Sequence, residues 1–249
     1  MENWKSFDLC NPTEEHRLLR EMVRDFVKDE VEPQAMEYDR RETFNLPLLK
    51  KLGSLGLLGI TVPEEYGGSG QDATAACIVH EELSASDPGF ALAYLAHSML
   101  CVNNIAANAS EEQKRKYLPN LCSGQWIGAM AMSEPNYGTD VLHMETRATK
   151  QGSHYVVNGR KMWITNGTLD DAGTPADLVW LYARTDTGNA KPKLSTFLVD
   201  RSCNGYSVGQ KIKDKLGMRA SNTAELVFDQ CKVPAENLVG EEGSSLLHM

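Results

Sequence analysis

From Thr13 to Pro33 the apolar residues of TEEHRLLREMVRDFVKDEVEP recur every three or four positions, placing Leu18, Leu19, Met22, Val23, Phe26 and Val27 on one helical face. Thr13 offers a capping oxygen and Pro33 is the expected stop, because proline has no N–H and its ring clashes with the preceding turn. NLPLLKKLGSLGLLGI reads as a short helix ended by glycines, and VPEEYGGSGQD as an exposed loop. DATAACIVHEELSASDPGFALAYLAHSMLCVNNIAANA predicts two helices broken at Asp87-Pro88-Gly89, and SEEQKRKYLPNL a further one opened by a capping box of Ser110 and Gln113. After Gly124 the helical period gives way to alternation. In HYVVNGRKMWIT, Asn158-Gly159 between two β-rich runs predicts a hairpin, and DLVWLYART, LSTFLVDR and TAELVFDQCKVP are further strands spaced as in an antiparallel barrel or sandwich. A helical half followed by an antiparallel half is an α+β arrangement, here a helical domain over 1–123 and a β-domain over 124–240.

Two of the predicted strands end alike. AMAMSEPNYGTD breaks from an apolar run into a turn at Ser133, and KMWITNG does so at Thr165, just after Trp163 and Ile164. Either hydroxyl alone is explained equally well by a turn residue satisfying its own backbone, with Asp140 capping the next element. The pair suits a flavin, whose ring has apolar faces and a rim that needs donors and acceptors; strand ends supply the hydroxyls and a tryptophan the wall. His97 lies on the apolar face of a helix and reads as a satisfied core histidine.

Composition narrows the classes. With 249 residues, 27.5 kDa and 41% hydrophobic residues, the chain can bury one large core or two smaller ones. A net charge of −9 and a pI near 5.2 argue against general attraction to nucleic acid or acidic membranes. Six scattered cysteines, without a C-x-x-C pair or zinc-spaced histidines, predict reduced thiols and no metal. Apolar stretches such as FALAYLAHSMLCV read as interrupted before the ~20 residues of a membrane span, and no signal peptide opens the chain, so an intracellular protein is expected. Neither a G-x-G-x-x-G nor a P-loop motif follows a strand.

AMSEPNYGTD followed by YVVNGRKMWITNG resembles the two flavin-contacting segments of the acyl-CoA dehydrogenase family. LGLLGITVPEEYGGSG, EEQKRKYLPNLCSG and KIKDKLGMRASNTAELVFDQCKVPAENLVG extend the likeness over nearly the whole chain. AHSMLCVNNI, AMSEPN and DKLGMRASNTAEL are most similar to the isovaleryl-CoA dehydrogenase branch. The resemblance implies FAD as cofactor, with Met130, Ala131, Met132, Ser133 and Thr139 along it, Ser133 on the pyrimidine edge, Thr165 near N5, and Trp163 and Ile164 completing the wall. It also implies acyl-CoA contacts at Thr139 and at Lys191, although GNAKPK reads as an ordinary solvated turn. Tyr137 departs from the family pattern, which has a small residue there.

The implied reaction is α,β-desaturation of an acyl-CoA, in leucine breakdown for the isovaleryl branch, with an electron-transferring flavoprotein as acceptor. In the family a C-terminal helical bundle supplies the catalytic glutamate and most subunit contacts, giving a homo-oligomer, a tetramer when complete. This sequence ends at GEEGSSLLHM, so 241–249 is expected to be only the start of that bundle, with no catalytic residue in the chain and no turnover by the chain alone. Glu241 and Glu242, in a glycine-flanked turn, read as capping residues rather than as the base. An uncovered apolar face is expected on FALAYLAHSMLCVNNI. The implied location is a bacterial cytoplasm, or a mitochondrial matrix after removal of a transit peptide. A flavin oxidase or monooxygenase on the same fold, and a non-catalytic module that binds acyl-CoA or a partner, stay open.

Overall fold

The computed structural model describes residues 8–185 and 193–249, so Lys191 lies outside the described residues. Helix α1 (Glu14–Phe26) starts where the Thr13 hydroxyl accepts the His16 N–H. Pro33 does not end it. The backbone passes through wider π-type turns at Val27–Val31 into α2 (Glu32–Arg41), with Pro33 in its first turn. The Glu32 N–H already reaches back five residues to the Val27 carbonyl, so the ring meets a loosened turn at a position suited to proline. The buried stripe is also displaced from the predicted one. Val23 and Val27 are buried, with Leu19 and Phe26 packed beside them, but Leu18 and Met22 are exposed and His16 and Arg20 are buried instead. Arg20 goes inward because Glu82 receives it, with Arg24 on the same carboxylate.

Helices α3 (Leu46–Ser54), α4 (Ala73–Ser86) and α5 (Pro88–His97) open on Asn45, Asp72 and Asp87, each accepting an N–H three residues on. The α5 axis continues through π-type turns at Ser98–Asn103 into α6 (Asn104–Asn108). This 21-residue rod, Pro88–Asn108, is long and apolar enough by composition to cross a membrane, so the expected interruption is not there; 56% of its most apolar window is buried inside the molecule. Phe90, Ala93, Tyr94, Cys101, Val102 and Ile105 fill the core. Leu92, Leu95, Met99 and Leu100 form a half-buried stripe at helical spacing, and none of them ranks among the exposed large hydrophobics, so the uncovered apolar face expected there is only partly exposed. Helix α7 (Glu111–Cys122) carries both hydrogen bonds of the Ser110/Gln113 capping box.

The strands β1 (Gly128–Ala131), β2 (Arg147–Gln151), β3 (His154–Thr165), β4 (Leu178–Thr185), β5 (Lys193–Asp200), β6 (Tyr206–Lys211), β7 (Thr223–Pro234) and β8 (Leu238–Val239) form one mostly antiparallel sheet. Its order is β6-β7-β3-β2-β4-β5-β8, with β1 added on β4; the pairs β1·β4 and β2·β4 are parallel. Alternation along β4 joins the two halves of the molecule. Val179, Leu181 and Ala183 enter the sheet's own core, while Leu178, Trp180 and Tyr182 pack with Cys101, Tyr117 and Leu121 of the helical side.

Asn158-Gly159 is not a turn. β3 runs straight through it against β7, with a bulge between Val157 and Gly159, and the turn into β3 is made at Gly152 instead. The glycine is needed for close approach: a Cβ at Gly159 would lie 2.6 Å from the Thr146 Cα. Asn158 Oδ1 accepts from the Gln230 backbone and side chain, filling the bulge. Beyond β8 the described residues make a short 3-10 turn at Ser245–Leu247, and no helical bundle follows among them.

Candidate functional site

Strand β1 ends at Ala131, and the chain leaves it toward the far end of β3, where the Met162 N–H donates to the Ser133 carbonyl at 2.9 Å. The β3·β7 register breaks again between Lys161 and Ile164. Trp163 sits in that break with φ at 65°, a left-handed backbone that is uncommon for a bulky residue, and its side chain is 63% exposed. The bulge therefore turns the indole out of the sheet. Met130, Met132, Ser133, Trp163, Ile164 and Thr165, with Ala96 and Leu100 of the helical rod, line one pocket of about 120 Å³.

Not every residue singled out in the sequence reaches this pocket. The Ala131 side chain is buried in the sheet core by strand alternation, and Ala131 is not part of the pocket lining. Thr139 is exposed and outside the lining, beyond a tight turn in which Glu134 and Tyr137 exchange backbone hydrogen bonds. Ala96 and Leu100 were not legible, because nothing in an apolar helix marks which positions face a strand end.

The pocket's frame is polar and buried. His97 receives the Gly128 N–H on Nδ1 at 2.9 Å and donates from Nε2 to the Leu121 carbonyl at 3.1 Å, tying α5 to the start of β1 and the end of α7. Burial pulls its pKa to about 4, so it is neutral and fully partnered, a core histidine as the sequence indicates. Asn166 donates its backbone N–H to the Asn222 carbonyl and its side-chain amide to the Ala93 carbonyl, both at 2.8 Å. Behind Ser133 the Lys161 ammonium is fully buried, 2.9 Å from both the Met132 carbonyl and Glu134 Oε1. Burial lowers Lys161 to about 8 against the pull of Glu134, which leaves it charged at neutral pH. Burial opposes ionisation of Glu134 too, but Lys161 and the N–H groups of Thr146 and Glu145 hold the carboxyl below its usual range.

The surface suits a flat ring with a polar rim. The thioether and indole walls are apolar, while the hydroxyls of Ser133 and Thr165, both half-buried at the pocket, have no protein partner among the described residues. Among the described residues, no carboxylate lines it. Glu242 is held by the hydroxyl of Tyr155, which lies ten residues from Thr165 near the opposite end of β3.

Residues 13–125 match the family model described as acyl-CoA dehydrogenase, N-terminal domain, and residues 129–231 the one for the middle domain. The chain belongs to the acyl-CoA dehydrogenase family. The mitochondrial isovaleryl-CoA dehydrogenase of Pongo abelii is 47% identical over 238 residues, which are 94% of this chain and 55% of that protein. The short-chain specific acyl-CoA dehydrogenase of Clostridium acetobutylicum is 42% identical over 233 residues, 94% of this chain and 60% of that one. A solved acyl-CoA dehydrogenase from Bacillus anthracis, complexed with FAD, superposes with a TM-score of 0.84 at 37% identity over 95% of this chain and 39% of that chain. The chain thus spans about half the length of the acyl-CoA dehydrogenases it matches in sequence.

Proposed function

We propose that this chain forms the flavin- and acyl-CoA-binding part of an FAD-dependent acyl-CoA dehydrogenase acting on a short or branched substrate such as isovaleryl-CoA. The observation that carries this is the convergence of two unpartnered hydroxyls, Ser133 and Thr165, with the outturned Trp163 indole at one pocket. In this reading the helical domain, 1–123, and the β-domain, 124–240, meet at the pocket, since Ala96 and Leu100 come from the first and the other lining residues from the second. Ser133 and Thr165 hold the ring's polar rim, Trp163 and Ile164 its face, and Met130 and Met132 the opposing edge. Thr139, exposed beyond the turn, would contact the acyl-CoA in this reading. A bound flavin supplies the acceptor for the β-hydrogen as hydride.

Removing the α-proton of a thioester requires a carboxylate in a dry site and donors on the carbonyl oxygen. The pocket lining has no carboxylate, so the base in this proposal comes from residues outside the lining. Electrons would pass on to an electron-transferring flavoprotein, and the working enzyme would be a homo-oligomer. The same absence of a carboxylate favours a second reading, a module that binds acyl-CoA without turning it over.

The test is titration of the purified chain with FAD, followed by anaerobic addition of isovaleryl-CoA and butyryl-CoA. Saturable binding and a perturbed flavin spectrum, without sustained reduction of an electron-acceptor dye, are expected. No FAD binding would overturn the proposal. Steady dye reduction by the chain alone would show that it contains the base after all, and oxygen consumption would move the assignment to an oxidase.

A further inference from the structure

We propose that Lys161 is a positioning residue for the flavin edge: by clamping Met132 and Glu134 on either side of Ser133, it fixes the peptide whose N–H and hydroxyl face the cofactor. The inference rests on the flavin reading above. Three anchors hold the segment. Lys161 Nζ donates to the Met132 carbonyl and to Glu134 Oε1, each at 2.9 Å, and the next residue, Met162, donates its N–H to the Ser133 carbonyl at 2.9 Å. Glu134 is itself fixed by the Thr146 N–H at 2.9 Å, so the ammonium is tied to a second backbone segment.

Peptide geometry supplies the consequence. No peptide bond here is cis, and in a trans peptide the C=O and the following N–H point in opposite directions. With the Met132 carbonyl drawn onto Lys161, the Ser133 N–H is directed away from the ammonium. Neither that N–H nor the Ser133 hydroxyl has a protein partner among the described residues, although Ser133 is only half exposed and lines the pocket. Two donors are thus left free on one residue while the Met132 and Ser133 carbonyls and the Glu134 carboxylate are all taken. An ordinary surface turn would not need a fully buried ammonium to hold it, since burying a charge is expensive unless it is paired and hydrogen-bonded.

A purely structural lysine, serving only to neutralise Glu134, predicts something different, and two variants separate the cases. Lys161→Met leaves the Glu134 carboxylate buried without its counter-charge, so a loss of fold stability is expected in either case. Lys161→Met combined with Glu134→Gln removes that charge but still leaves the Met132 carbonyl without its donor. The double variant should regain most of the lost urea midpoint, yet bind FAD at least tenfold more weakly than the wild-type chain and shift the reduction potential of the bound flavin. Wild-type FAD affinity and potential in a folded double variant would overturn the inference while leaving the flavin reading intact. Failure of the wild-type chain to bind FAD would overturn both. The wild-type chain gives a further readout that needs no variant: hydrogen exchange at the Ser133 amide should slow when FAD is added, and an unchanged rate in the FAD-saturated chain contradicts the proposed orientation.

Discussion

Replacing His97 by leucine removes the bond between the helical rod and the first strand without altering any residue that lines the pocket. One buried group, the Gly128 N–H, loses its partner, while the Leu121 carbonyl keeps the Gly124 N–H at 3.1 Å. That orphan costs about 1–3 kcal/mol, so the variant should lose about that much at neutral pH, a sizeable part of the ~5–15 kcal/mol that holds a typical domain. The pH dependence gives a sharper test. His97 titrates near 4 in the fold and near the ordinary 6.5 when unfolded, because burial disfavours the cation and Nδ1 is already occupied as an acceptor. Above the unfolded value both states are neutral and its contribution is fully present. As pH falls from 6.5 toward 4 the unfolded chain takes up a proton that the folded one refuses, and stability declines. Between pH 7.5 and 5 this one residue should remove about 2 kcal/mol from the wild type, and His97→Leu should escape that loss. Urea unfolding followed by far-ultraviolet circular dichroism at the two pH values measures both effects, since every other titrating group is common to the two proteins. A deficit below about 1 kcal/mol at pH 7.5, or a deficit that does not narrow at pH 5, would refute the reasoning.

Gly159→Ala should destabilise by about 1–3 kcal/mol in the same assay, since its Cβ would press on Thr146, whereas Gly217→Ala, with open space around it, should be nearly neutral. Ser133→Ala and Thr165→Val should each weaken FAD binding by about twofold to tenfold, measured by fluorescence titration, as expected for one modest hydrogen bond apiece. Glu242→Gln should leave FAD affinity unchanged, because Glu242 is engaged by Tyr155 near the far end of β3.

What the sequence disclosed was mostly local. Thr13, Asp72, Asp87 and Ser110 cap helices through bonds that span three residues, so each cap can be read from a short window. Strand β1 ends where its apolar run breaks, as β3 does at Thr165, which is the signal that pairs Ser133 with Trp163, Ile164 and Thr165; Met130 and Met132 rest on the family resemblance alone. Two of the misreadings depended on a distant partner. Asn158-Gly159 has turn composition, but Thr146 and Gln230 across the sheet make it a bulge. Leu18 is apolar yet exposed, and Arg20 charged yet buried, because Glu82 on another helix sets the rotation of α1. The Lys161–Glu134 pair lies within the two motifs that carry the flavin reading, but only the folded chain shows that one supports the other.

The central claim is that the ends of β1 and β3 hold a flavin ring against Trp163. Tryptophan emission of the purified chain, titrated with FAD and compared with Trp163→Phe, tests it most directly. One FAD per chain, with strong quenching in the wild type that is largely lost in a variant of similar affinity, is the predicted result. Absence of saturable binding, or equal quenching in both proteins, would contradict the account.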